Sequence, residues 1–284
     1  MSEVRPTGAR AAASSAVLYG VLAVATVLFL IPFYLVVRNA LSTDIELSQP
    51  QWKFFPTEPQ FDSVSKLLDN RAVPFLRSLR NSAVTSIVQT AGAVLIASMA
   101  GYGLARIPYR FANVVFGSIL ATLMIPAAVT FVPSFIIVSE IGWIGTYQGL
   151  IVPGLFQAFA AFLFRQYFLG FPLELEEAAR IDGLSTWGTY WRVVVPNSKG
   201  IFAAVASITF IASWNAFLWP LVVVGKDSER WTVQVALSTL LNSQSPKVTQ
   251  LFAASAIAIL PLVVAFVLLQ RYIVEGVERT GISG

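Results

Sequence analysis

Six charge-free apolar runs alternate with polar stretches along this chain, at roughly 16–37, 82–105, 111–139, 147–164, 200–225 and 248–270. Crossing about 30 Å of hydrocarbon at 1.5 Å per residue takes about 20 residues. The pattern predicts an all-α integral membrane protein with six transmembrane helices. A soluble fold would have to bury six helices of that length as core, which the periodicity does not favour. The expected organisation is an amino-terminal segment 1–15, a membrane domain 16–272 and a tail 273–284. The first run follows Arg5 and Arg10 but is longer than the about 7–15 apolar residues of a cleaved signal, and reads as a retained anchor.

Basic residues set the expected orientation. Arg106, Arg110, Arg165, Arg180, Arg192 and Lys199 fall on one side, and the short turn 141–146 carries none. By the positive-inside rule, segment 165–199 and both termini face the cytoplasm. The external parts are then 42–80, with a short helix around 61–69, then 140–146, and 226–247. This last loop either re-enters the vestibule, meets a partner or stays solvated. Trp231, Gln234, Asn242 and Gln244 are its candidates for contact with a partner outside.

Composition narrows the chemistry. The chain has 56% hydrophobic and 12% charged residues, no cysteine and no histidine. Disulfides, imidazole bases and zinc sites are excluded. The formal charge of +4 fits cytoplasmic lysines and arginines better than nucleic-acid binding. Ionisable residues are absent from the six runs, which argues against a proton relay within the membrane. No phosphate-binding G-x-x-x-x-G-K-[ST] loop occurs; at Gly225-Lys226 it fails at Pro220 and Asp227. Any ATP and Mg must therefore be held by another polypeptide, and the chain itself carries no cofactor or metal.

The polar segment between the fourth and fifth runs carries the strongest signal. Glu177-Ala178-Ala179 and Arg180-Ile181-Asp182-Gly183 are followed, after nine intervening residues, by Val193-Val194-Val195-Pro196. Pro172 suits a helix start, and Glu174, Glu176 and Glu177 suit the positive end of its dipole. Glu176 and Arg180, four apart, can pair across one turn. The small Ala178 and Ala179 let another surface approach. Gly183 suits a left-handed position past the helix end, and Ser185 can cap a second short helix through Trp187, Tyr190 and Trp191. The pattern predicts a cytoplasmic coupling helix, a sharp bend and a second short helix. An amphipathic helix lying on lipid is the plainer reading, which the three early glutamates disfavour.

Sugar sites combine aromatic faces with hydrogen-bonding groups. Trp214, Asn215 and Trp219 supply both in the fifth run, and Gln89, Thr90, Thr122 and Gln157 are weaker candidates. Each also reads as a helix-packing residue, the plainer alternative. Gly101 and Gly103 suit close helix packing. Pro126, Pro133, Pro153, Pro220 and Pro261 can kink their helices.

With these residues in place, the sequence resembles the inner-membrane permease subunits of carbohydrate-uptake ABC transporters, on the side similar to the maltose permease G protein. The resemblance runs through Arg80-Asn81-Ser82, Gly101–Arg106, Met124-Ile125-Pro126, Gly145–Leu150, Phe164–Phe168, the coupling segment, Trp214–Pro220 and Gln270–Gly276. Val193 and Val195 stand where the family usually has Ile and Leu. The resemblance implies a second homologous permease, two ATPase subunits that each grip one coupling loop, and an extracytoplasmic substrate-binding protein. It places Glu177 and Gly183 in the ATPase cleft and the 226–247 loop against the binding protein. The implied cargo is a mono-, di- or oligosaccharide. Glycerol phosphate, another polar solute, a stand-alone secondary transporter and a mere scaffold are the competing readings.

Overall fold

The computed structural model describes residues 9–243 and 247–280, with side chains from 15 to 243 and 247 to 272. The terminal residues 1–8 and 281–284 and the candidate Gln244 lie outside the described residues. Among the described residues every regular element is helical. The elements are α1 (Ala9–Ala40), α2 (Asp44–Ser48), α3 (Asp62–Leu68), α4 (Phe75–Arg106), α5 (Ala112–Leu123), α6 (Ala127–Glu140), α7 (Tyr147–Ile151), α8 (Ala158–Leu169), α9 (Leu173–Ile181), α10 (Thr186–Thr189), α11 (Val195–Asn197), α12 (Lys199–Trp214), α13 (Leu218–Val224), α14 (Val233–Leu241) and α15 (Val248–Thr280). A 3₁₀ turn, Val152–Gly154, follows α7, and a π turn, Tyr190–Val194, follows α10.

Three helices are single uninterrupted candidates for crossing a membrane: Ser15–Ala40, Phe75–Arg106 and Val248–Tyr272. The number rises to six only if each bent helix pair counts as one span. The third, fourth and fifth runs are each interrupted rather than continuous. The third breaks at Met124-Ile125-Pro126, and α5 and α6 meet at 99°. Pro126 explains the place, because a proline pushes the residue before it out of the helical region. The fourth bends by 41° between Gly154 and Ala158. The fifth separates into α12 and α13 at Asn215–Phe217, and α12 meets the preceding 186–197 segment at 80°. Helix α4 instead holds 32 residues without internal proline and stops at Ile107, whose extended backbone (ψ 111°) leads into Pro108.

The chain divides into two compact units, 1–69 with 240–257 and 70–239 with 258–284. In the first, Arg38 and Glu46 form a buried ion pair at 2.9 Å. Thr43 caps α2 by accepting from the Glu46 N–H. The Asp44 carboxylate accepts the Thr249 N–H at 3.1 Å, which places negative charge at the start of α15. The short helix expected around 61–69 is α3.

In the second unit, α4, α8 and α12 enclose a hydrophobic core. Ala97, Ala160, Ala161, Phe164, Phe168 and Val205 are among its buried members. Lipid tails are as apolar as leucine, so association here depends on close contact rather than on escape from water. Gly101 makes that contact possible: a Cβ there would lie 2.6 Å from Phe164 Cβ and 2.8 Å from the Arg165 nitrogen. Gly103 has nothing within 4 Å of the same construction, so it plays no packing role in this chain.

Candidate functional site: a coupling loop and a hydroxyl-lined cavity

Helix α9 begins after Pro172, with Glu174 and Glu176 in its first turn. It ends at Asp182, and Gly183 takes the left-handed conformation (φ +81°) that closes the turn. The Leu184 N–H donates back to the Ala179 carbonyl at 2.9 Å. Ser185 then caps α10, its hydroxyl accepting the Gly188 N–H at 3.2 Å. The expected helix, bend and second helix are therefore present. Pro196 lies in α11, and the chain turns sharply at Ser198 before α12 begins.

The two faces of α9 differ. Glu176 and Ala179 are buried, whereas Glu177, Ala178, Arg180 and Asp182 are exposed. Ile181, at 87% relative exposure, stands out of the protein, and Trp187 on α10 is also exposed. Glu176 does not pair with Arg180. Its carboxylate lies 2.9 Å from Arg106 Nε at the end of α4, and accepts the Tyr102 hydroxyl at 3.1 Å. The Arg106 Nε–H does not point along the line to the carboxylate, so this contact is ionic rather than a hydrogen bond. Another Arg106 nitrogen donates to the Phe171 carbonyl just before α9. Tyr190, in the π turn, packs against Tyr102 at 5.1 Å and shares a 2.7 Å hydrogen bond with Ser98. One end of α4 is thereby fastened to both halves of the helix–bend–helix segment. Sequence reasoning missed Arg106, Tyr102 and Tyr190 as partners. The lone arginine ending a long apolar helix was the available signal.

A cavity of about 280 Å³ opens in the same unit. Helix α4 lines it with Ser82, Thr85, Ser86 and Gln89, which share a face by their spacing. Thr130, Phe131 and Ser134 from α6, Ser213 from α12, Trp219 from α13 and Thr232 complete its chemical lining. Gln89 accepts from the Ser213 hydroxyl at 3.2 Å. Trp219 donates its indole N–H to the Gly149 carbonyl at 3.0 Å and meets Phe131 edge to face at 5.8 Å. Of the pathway candidates, Gln89 and Trp219 line this cavity. Trp214, Asn215 and Gln157 do not. Trp214 is buried, and its indole donates to the Ala258 carbonyl at 3.1 Å. Gln157 donates to the Gly154 carbonyl and accepts from Thr209. Asn215 is exposed and accepts from Gln234 at 3.2 Å.

The loop 226–247 is not a plain solvated connection. It contains α14, in which Val233, Val235 and Ala236 are buried. Asn81, at the start of the second run, donates to the Glu229 and Trp231 carbonyls and accepts from the Tyr147 hydroxyl. Ser82 accepts the Val233 N–H at 2.7 Å. Trp231 donates to the Gly225 carbonyl. Asn242 lies just past α14 and also interacts within the chain.

The described residues thus form long apolar helices, bent helix pairs and an exposed helix–bend–helix segment between α8 and α12. The chain belongs to the family described as binding-protein-dependent transport system inner membrane component, which it matches over residues 92–279. The arabinooligosaccharides transport system permease protein AraQ of Bacillus subtilis is 31% identical over 261 residues, covering 91% of this chain and 92% of the relative. The lactose transport system permease protein LacG of Rhizobium radiobacter is 31% identical, covering 91% and 93%. The sn-glycerol-3-phosphate transport system permease protein UgpE of Yersinia pestis is 32% identical, covering 90% and 92%. The fold is shared with a chain from the crystal structure of a bacterial ABC transporter involved in the import of the acidic polysaccharide alginate. That likeness has a TM-score of 0.80 at 20% identity and covers 95% of this chain and 99% of the other.

Proposed function

We propose that this chain is a membrane-spanning permease subunit of an ATP-driven importer that carries a sugar. It hydrolyses nothing itself. A second homologous permease completes the pathway, two ATPase subunits hold ATP and Mg, and an extracytoplasmic binding protein delivers cargo. Both termini and the 165–199 loop face the cytoplasm in this reading.

The observation that carries it is the two-faced helix α9. Its inner face is fixed to α4 through Glu176 and Arg106, and its outer face presents Glu177, Ala178, Ile181 and Asp182 just before a glycine bend. Ile181, 87% exposed on this polar helix, is open to contact with another protein surface. A groove in an ATPase that grips this face can move α9, and the buried ion pair transmits the push into α4. The relatives named for arabinooligosaccharides and lactose support a sugar as cargo.

The test is uptake and ATP hydrolysis by the assembled importer carrying Ile181→Asp with Glu177→Lys. Both side chains are exposed, so the chain should insert and fold as before. Uptake should fall at least tenfold, and loaded binding protein should no longer stimulate hydrolysis. Unchanged uptake would overturn the reading. A glycerol phosphate cargo is the second reading, favoured by the relatives of that name.

A further inference from the structure

We propose that the loop 50–57, through Trp52, Phe54 and Phe55, is a membrane anchor that docks in the phospholipid headgroup zone at the Arg38 end of α1. The proposal goes beyond the permease reading and needs only that α1 crosses a bilayer.

The loop is pinned to the end of α1. The Tyr34 hydroxyl on α1 donates to the Phe54 carbonyl. The Thr57 N–H donates to the Glu46 carboxylate at 3.3 Å, and Glu46 is itself held by Arg38. The Gln60 N–H donates to the Leu41 carbonyl at 2.8 Å. These ties hold the backbone, yet the rings stay outside. Phe54 stacks on Tyr34 at 4.8 Å, and Trp52 and Phe55 meet Phe54 edge-on at 5.8 and 4.9 Å. Trp52, Phe54 and Phe55 are each more than half exposed. Three such rings leave on the order of 300 Å² of contiguous apolar surface open. A patch of that size marks a contact with protein or membrane.

Depth selects the membrane. Arg10 and Arg38 are the charged residues that flank the apolar stretch of α1. A helix rises about 42 Å between them at 1.5 Å per residue, which matches the about 40–45 Å of a bilayer with its headgroups. Tyr34 lies one turn inside Arg38, about 6 Å in. The headgroup zone is about 5–7 Å deep on each side of the hydrocarbon, so Tyr34 stands at its inner edge. The stack on Tyr34 brings Phe54 to that level, folded back beside the span. The surface it joins is already apolar and open. None of the most apolar stretch of α1 is buried within the described residues, and Phe33 and Val37 are exposed beside Tyr34.

The chemistry agrees. Trp and Tyr gather at membrane–water interfaces, where the ring meets acyl chains and the polar tip meets water. Residues 50–57 carry one lysine and no carboxylate. Lys53, exposed between Trp52 and Phe54, donates to Thr57 at 3.0 Å and keeps N–H groups free for a lipid phosphate. Anchored in this way, α1 takes its depth and tilt from the lipid.

The test uses the complete importer in proteoliposomes of phosphatidylethanolamine and phosphatidylglycerol, with partner subunits freed of reactive thiols. This chain has no cysteine, so Phe55→Cys gives it a single site for a bimane fluorophore. The probes are phosphatidylcholines that carry a nitroxide either near the headgroup or near the end of the acyl chain. The shallow nitroxide should quench the fluorophore several-fold more than the deep one. Quenching by neither means that the loop lies in water or against another protein, and stronger quenching by the deep probe means that it lies below the headgroups. Either result overturns the proposal. Should the labelled variant fail to assemble, Trp52→Phe keeps a ring in place, and phosphatidylcholine brominated near the headgroup end of its chains is the probe. Bromine should quench the importer's tryptophan fluorescence less in this variant than in the unaltered protein, the difference reporting Trp52 alone. Equal quenching in the two would sink the idea. If Ile181→Asp with Glu177→Lys transports normally, the permease reading fails and the label still decides the anchor.

Discussion

The guanidinium of Arg106 lies 2.9 Å from the carboxylate of Glu176, joining the last turn of a membrane helix to a helix that protrudes from it. Both side chains are at least 90% buried at this contact. Breaking a buried pair by removing one partner typically costs about 3–5 kcal/mol, because the remaining charge is stranded. Glu176→Gln should therefore lower the unfolding temperature of the purified complex. Arg106→Met combined with Glu176→Leu should recover much of the lost stability, since an apolar pair of similar volume avoids the stranded charge. Uptake should stay low in the double variant, because α9 no longer has a directional tie to α4. A double-mutant cycle read by thermal unfolding separates the coupling from the single effects.

Gly183 is demanding for its backbone alone. Its φ of +81° disfavours side chains, yet a Cβ there meets nothing within 4 Å. Gly183→Val should cost about 1–2 kcal/mol locally and disturb the bend, with uptake lost while membrane insertion is kept. Gly183→Asn should retain most uptake, since asparagine tolerates this conformation. Equal uptake by both variants would show that the bend is not needed.

Gly101 and Gly103 make an internal comparison on one helix. Gly101→Ala should destabilise by about 1–3 kcal/mol, because the intruding methyl meets α8 backbone that cannot swing aside. Gly103→Ala should be neutral or slightly stabilising for the chain. Thermal unfolding of the two variants decides the matter.

Trp214 and Trp219 should separate stability from cargo recognition. Trp214→Ala should cost about 3–5 kcal/mol, because the side chain is wholly buried and bonded to Ala258. In protein that still assembles, the KM for cargo should not move. Trp219→Ala should raise that KM, because it removes the aromatic wall of the cavity.

The coupling loop was largely legible because local rules set it. Pro172, Gly183 and Ser185 each act on their own backbone, and the structure places helix start, bend and cap at those residues. The partner of Glu176 was not legible. A spacing of four residues offered Arg180, whereas burial of that helix face selected Arg106, which ends a helix distant in sequence. The helix runs were legible as apolar lengths but not as straight rods. Pro126 signalled one break, yet the break in the fifth run falls at Asn215–Phe217, and Pro220 lies inside the helix that follows.

The cavity was the least legible part. Its hydroxyls come from α4, α6, α12 and the segment before α14, so only the fold brings them together. Nothing in sequence separates Thr122, which bonds its own helix at Ile119, from Thr85, which does not. Trp214 and Trp219 illustrate the same limit. Five residues apart, one serves the interior and the other the cavity wall.

The right-angled corner at Met124-Ile125-Pro126 bears on what this polypeptide needs around it. Met124 is 85% exposed there; its amide and that of Ile125 bond the Ala121 and Thr122 carbonyls, but the carbonyls that follow have no intrahelical donor. Oil cannot solvate them. A companion protein wall or a water-filled passage must sit against the elbow, so the isolated subunit is an unfinished object in a bilayer. It should prove unstable or self-associating whenever it is made without its neighbour.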